Sequence, residues 1–222
     1  MMLQFVRLAS VAALLVQFGQ SGAQSPPGFS PQTNNTVSIR YVESPVTTGS
    51  PIPLADVRTS PAVQLSQSNS SHIVLMVDLD APRGPSNSTW SPILHWLIAV
   101  PAGQSQLSEN QTLVSATAAY FAPAPPEGTG PHRYVVLELE NPSGSFEIPS
   151  GFPTAYQTVE SRLRFNVSRF VQEGDFRLVG ANWFTVEYSN TTTPPSASSH
   201  MASSSIACIM AAAAAVMITD LV

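Results

Sequence analysis

Short apolar runs alternate along this chain with polar stretches rich in turn residues, and the runs have the period of strands rather than helices. Residues 73–77 (Ile-Val-Leu-Met-Val) are apolar without a break, the pattern of a strand covered on both faces. Residues 93–100 form a second such run, and residues 37–42 alternate weakly. Residues 134–140 open with aromatic and β-branched side chains. A two-residue period there places His132, Tyr134 and Val136 on one face and Val135, Leu137 and Leu139 on the other. Residues 179–188 read as a last strand, entered through Gly180. The one helical signature is Val159, Leu163, Val167, Phe170 and Val171. Asn166 interrupts it as an N-cap, so the pattern predicts two short helices, the second stopped by Gly174. Most of the twenty prolines fall between the runs and mark loops and edges. The expectation is one mostly-β domain over residues 37–188, with disordered low-complexity segments at 24–36 and 189–205.

The two ends read as processing signals. Residues 1–23 carry Arg7, an apolar stretch over 8–18 and the small residues Ser21-Gly22-Ala23, the layout of a secretory signal peptide. Near the other end, Ser196-Ala197-Ser198 are followed by a polar spacer to residue 205 and an apolar tail over 206–222. That is the layout of a GPI-anchor signal with Ser196 as the attachment residue. Asp220 departs from the pattern, and a single membrane-spanning helix is the rival reading. The only cysteine, Cys208, lies in that tail, so the mature domain is expected to fold without a disulfide. The expected location is therefore outside the cell, anchored at the surface. Six Asn-x-Ser/Thr sequons occur. Asn34, Asn69, Asn87, Asn110 and Asn190 are candidate glycosylation sites, and Asn166 is set aside as a helix cap.

Charge narrows the partners. There is no lysine; all nine basic residues are arginine, against fourteen acids and a net charge of −5. No basic stripe is visible, which argues against nucleic acid and against direct binding to an anionic membrane face. An anion would have to be held by a few placed groups, and the chain is expected to act as a monomer.

The candidate groups lie in three segments: Asp78-Leu79-Asp80-Ala81-Pro82, Leu94-His95-Trp96, and the Pro-rich loop from Tyr120 through Pro126 to His132 and Tyr134. Two imidazoles near one anion would stabilise it, and a carboxylate behind one of them would fix its tautomer. Gly128-Thr129-Gly130 could bring backbone N–H groups close to a ligand. Each residue also has a plainer reading: His95 as a structural partner, Asp80-Ala81-Pro82 as a turn, Tyr134 as core. Two rival chemistries are weaker. The His and Asp spacing matches no compact metal-ligand motif, and no Gly-x-Ser-x-Gly elbow provides a hydrolase nucleophile. No cofactor is expected.

At these segments the chain resembles the phosphatidylethanolamine-binding protein family. The family's Asp-Pro-Asp-Ala-Pro stands here as residues 78–82, and its His-Trp pair as His95-Trp96. Its Gly-Pro-Ala-Pro-Pro-x-Gly-Thr-Gly-x-His-Arg-Tyr stands at residues 122–134, with Ala122 for the first glycine. The resemblance spans roughly residues 35–188. It implies two packed antiparallel sheets with a few peripheral short helices. It also implies a non-enzymatic binding protein with an anion pocket built from Asp78, Asp80, Pro82, His95, His132 and Tyr134, with Tyr120 and Pro126 at the rim. The implied ligand is a phosphate-bearing small molecule or phospholipid headgroup. The alternative it implies is inhibition of a secreted carboxypeptidase.

Overall fold

The computed structural model describes residues 24–109 and 116–189. The signal segment, Asn110, Asn190, Ser196, most of the spacer and the apolar tail lie outside the described residues. Nine strands form two antiparallel sheets, and two short helices complete the secondary structure among the described residues. In chain order they are β1 (Ser38–Tyr41), β2 (Ser44–Pro45), β3 (Ala62–Gln64), β4 (Ser71–Asp78), β5 (Ile93–Val100), β6 (Gln106–Leu107), β7 (Ala116–Ala118), β8 (His132–Asn141), α1 (Val159–Arg162), α2 (Val167–Glu173) and β9 (Arg177–Val186). The smaller sheet has the order β2-β1-β3-β6 and the larger β7-β5-β4-β8-β9. This is the mostly-β, two-sheet architecture expected.

The large sheet is covered on both faces, which explains the unbroken apolar run in β4, where all eight residues are buried. Val74, Met76, Tyr134, Val136 and Phe184 face the small sheet and pack with Ile39, Tyr41 and Val63. Ile73, Leu75, Val135, Leu137 and Leu139 face the other way, onto Phe165, Val167 and Phe170 of the helical segment. The two faces of β8 are those its two-residue period predicts. Asn166 caps α2, its side chain accepting from Arg169 N at 3.0 Å, and Gly174 closes that helix.

One irregularity positions the site. Met76 pairs with Trp96 and the next residue, Val77, pairs with Leu94. His95 is thus an extra residue on β5, a β-bulge that re-aims the side chain. The bulge also reverses the alternation: Trp96 and Ile98 face the small sheet, while Leu94 turns toward the helices.

Residues 24–36, expected as a disordered lead-in, are instead part of the folded body. Gln24 N donates to Thr33 O at 3.0 Å, and Phe29 is buried in the helix-side core. Residues 35–37 then run beside β9, with Val37 N on Ala181 O and Ala181 N on Asn35 O, both at 2.9 Å. Gly49 N and Ile52 N bond further along the same strand, to Trp183 O and Thr185 O. An edge that would otherwise offer unpaired backbone is therefore covered. Gly49 has φ +78, and a Cβ there would meet the Trp183 ring at 3.0 Å, so glycine permits this close approach.

Candidate functional site

The site forms where β4, β5 and β8 end together. β4 delivers Asp78 at its last residue, β8 delivers His132 at its first, and the bulge in β5 presents His95. All three are almost wholly buried. His132 Nδ1 donates to Asp78 Oδ2 at 2.9 Å. Asp78 Oδ1 accepts from Asp80 N at 2.7 Å, which fixes the carboxylate plane. His95 Nε2 stands 4.0 Å from the same Asp78 Oδ2.

Both imidazoles are tethered through Nδ1. His95 Nδ1 donates to the Phe121 carbonyl at 2.6 Å, and Phe121 N donates back to the His95 carbonyl at 2.7 Å. The ring stacks on Phe121 and meets Tyr134 edge-on, with centroids 5.0 and 5.2 Å away. Since a carbonyl only accepts, Nδ1 carries the hydrogen and Nε2 of a neutral His95 holds a lone pair. Burial lowers the His95 pKa from its ordinary value, outweighing the Asp78 charge and the Phe121 bond, which raise it. Arg162 and His132 lower it further.

His132 Nε2 lies 3.0 Å from Thr129 Oγ1, and the same oxygen is 2.8 Å from the Pro126 carbonyl. One hydroxyl hydrogen cannot serve both. With His132 neutral, Thr129 donates to Nε2; with His132 charged, Nε2–H donates to Thr129 and the hydroxyl hydrogen goes to Pro126. Gly84 holds this turn close: a Cβ there would lie 2.3 Å from the Thr129 carbonyl.

Tyr134 lies in the site, its buried hydroxyl close to the Asp78 carboxylate though short of a well-aligned hydrogen bond to it. Burial, then the Asp78 charge, raise its pKa well above the ordinary tyrosine value.

The other expected residues stand further off. Asp80 is fully buried, but both of its oxygens are taken by Arg133 on the far side: Oδ2 accepts from Arg133 N and Nε at 2.8 and 2.9 Å, and Oδ1 from Nη2 at 2.8 Å. Asp80 therefore braces the loop and does not offer its carboxylate to a ligand. Tyr120 turns its hydroxyl away, donating to Val57 O at 2.9 Å and sitting 3.0 Å from the Tyr41 hydroxyl. It supports the wall through an edge-on contact with Trp96. Pro82, expected in the pocket, is half-buried, and Pro126, expected at the rim, is exposed. Asn34, Asn69 and Asn87 are exposed. Among the described residues no group of three His, Cys, Asp or Glu is placed to hold a metal ion.

Three contributors escaped sequence reasoning. Thr129 acts through its side chain, not only through the turn it sits in. Phe121 orients His95. Arg162 is buried behind His95, with Nε on Tyr156 O at 3.0 Å and Nη1 on Ala119 O at 2.9 Å, Leu94 O at 3.3 Å and His95 O at 3.4 Å. No carboxylate lies within ion-pair distance of it among the described residues, and burial lowers its pKa. A helical arginine next to leucine carries no mark of this role in the sequence.

These features have relatives. The family profile described as phosphatidylethanolamine-binding protein matches residues 42–169. Phomoidride biosynthesis cluster protein N of Talaromyces stipitatus is 28% identical over 198 residues, covering 80% of this chain and 96% of its own. The carboxypeptidase Y inhibitor of Saccharomyces cerevisiae is 24% identical over 197 residues, covering 70% and 85%. Among solved structures, carboxypeptidase Y inhibitor complexed with its cognate proteinase superposes with a TM-score of 0.54 at 26% identity, over 71% of this chain and 85% of that one. The phosphatidylethanolamine-binding protein from Plasmodium vivax shares the fold, with a TM-score of 0.58 at 20% identity over 73% and 92%. The profile spans more than half of the chain, and the segments it covers are those that bring Asp78, His95 and His132 together. This chain belongs to the phosphatidylethanolamine-binding protein family.

Proposed function

We propose that this chain is an extracellular, surface-anchored binding protein that takes a phosphate-bearing ligand between His95 and His132. The observation that carries the reading is the pair of buried imidazoles, each tethered through Nδ1 and both set beside the Asp78 carboxylate. An anion there would receive a hydrogen bond from each Nε2 once both carry a hydrogen. His95 would have to take up a proton to donate, so binding is coupled to protonation. The Tyr134 hydroxyl, beside Asp78, offers a third donor.

The proposed location rests on sequence patterns that resemble a signal peptide over residues 1–23 and a GPI signal around Ser196, and on the exposed sequons Asn34, Asn69 and Asn87. Phospholipase release of the protein from intact cells tests the anchor. For the ligand, phosphorylethanolamine and inorganic phosphate are titrated into the full-length chain and into His132→Ala. Saturable heat that disappears in the variant supports the site; equal heats in both overturn it.

A second reading has its own support. The similarity to carboxypeptidase Y inhibitor, itself solved with its cognate proteinase, favours inhibition of a secreted serine carboxypeptidase through an exposed loop. Dose-dependent inhibition that survives His132→Ala would establish it, and an inert panel of such enzymes would remove it.

A further inference from the structure

A cleft of about 470 Å3 opens on the side of the large sheet away from the histidine pair, between the turn at residues 27–30 and the start of α2. Its composition is at odds with the rest of the molecule. The chain has a net charge of −5, yet two arginines and no Asp or Glu line this cleft. Arg133 spends its charge on Asp80. Arg164 has no carboxylate within ion-pair distance among the described residues; its Nε donates to the Thr89 carbonyl at 3.1 Å and its backbone N to Trp90 O at 2.9 Å. Those two bonds hold an exposed guanidinium against the cleft wall, leaving a net positive charge there. Ser88 and Ser168 add hydroxyls at the rim, and Phe29, Leu79 and Phe165 make an apolar floor.

The separation from the histidine site follows from strand geometry. His132 and Arg133 are consecutive on β8, so they point to opposite faces. His132 meets Asp78 on one side, while Arg133 grips Asp80 on the other. Leu79, between the two aspartates, packs with the helix-side core that floors the cleft.

We propose that this cleft is a second ligand site, for a molecule with one anionic head and an apolar body. Arg164 takes the head, the serine hydroxyls orient it, and the Phe29–Phe165 floor takes the body. Its volume falls within the about 300–1,000 Å3 usual for small-molecule sites. The site is independent of the histidine pair and of whether that pair binds phosphate.

The experiment titrates decanoate and decyl phosphate, each below its micellar concentration, into the full-length chain, with inorganic sulfate as a head without a body. At least one amphiphile should bind the wild type, and the two arms separate a carboxylate head from a phosphate head. Arg164→Gln should weaken that binding at least tenfold, and Ser88→Phe, which fills the rim, should do the same. His132→Ala should leave it unchanged. Urea midpoints equal to wild type show that each variant is folded; if Arg164→Gln is not, Ser88→Phe carries the test. Binding of neither amphiphile overturns the proposal. So does binding that is lost in His132→Ala but kept in Arg164→Gln, which would assign the ligand to the histidine site. Failure of the histidine reading looks different: sulfate or phosphate gives no heat that His132→Ala removes, whatever the amphiphiles do.

Discussion

Replacing Asp78 by alanine and by asparagine separates the hydrogen bonds of the site from its charge. Both substitutions remove the same buried carboxylate, so its desolvation and its attraction for His95 cancel when the two variants are compared. What remains is the bonding. Alanine strands two buried donors, Asp80 N–H, now bonded at 2.7 Å, and His132 Nδ1–H, now bonded at 2.9 Å. An unmet buried donor costs about 1–3 kcal/mol, so the pair costs about 2–6 kcal/mol. Asparagine keeps an acceptor for Asp80 N–H, and its amide NH2 can donate to His132 Nδ1 if the ring changes tautomer. The hydrogen then moves to Nε2 and is accepted by Thr129, whose own hydrogen goes to Pro126. Asparagine should therefore be the more stable variant by about 2 kcal/mol or more. Against a total of about 5–15 kcal/mol for a domain, that gap is easily measured. With a urea slope of about 2 kcal/mol/M, the two midpoints should differ by about 1 M. Nitrogen chemical shifts of His132 should show the Nε2–H tautomer in Asp78→Asn. Coincident midpoints would refute the reasoning, because they would mean that neither bond contributes in the folded state.

Three further outcomes are expected. Sulfate, whose charge is constant between pH 5 and pH 8, should bind more tightly as pH falls: His95 is held below its ordinary value of about 6.5 mainly by burial, and an anion favours its charged form. In the free protein the same shift means that the unfolded chain binds more protons at this residue, so His95 removes stability as pH falls through about 6.5. Calorimetric affinities that stay flat from pH 8 to pH 5 would exclude proton uptake at His95. Arg162→Met should raise the His95 pKa in an NMR titration, because the guanidinium charge now lowers it; a purely structural arginine would leave that titration in place. Phe29→Ala should cost about 3 kcal/mol in urea denaturation and make residues 24–36 the first site of proteolysis, since Phe29 holds that segment in the helix-side core. An unchanged cleavage pattern would show that the backbone bonds to β9 suffice.

The strands that carry the site were legible because burial on both faces leaves an unbroken apolar run, as in β4, and because β8 keeps a strict two-residue period. Asn166 was legible as a cap because its chemistry is local. The bulge at His95 was not: β5 is apolar on both sides of that histidine, so an extra residue leaves no break in an alternation to detect. Asp80 resembled a second ligand because its partner, Arg133, lies 53 residues away and meets it only across the sheet. Residues 24–36 looked disordered because proline, serine and asparagine dominate their composition. Their order depends on one phenylalanine and on backbone bonds to β9, and neither registers in a compositional average.

The hydrogen shared at Thr129 ties the stiffness of the rim to the charge of the ring below it. With His132 charged, the hydroxyl hydrogen closes the turn onto the Pro126 carbonyl, beside the weaker 3.3 Å bond from Thr129 N. With His132 neutral, that hydrogen is drawn inward and the turn keeps only the longer bond. Entry and exit should then differ in their kinetics: a neutral site opens readily but grips weakly, while a charged one opens slowly and retains what it holds.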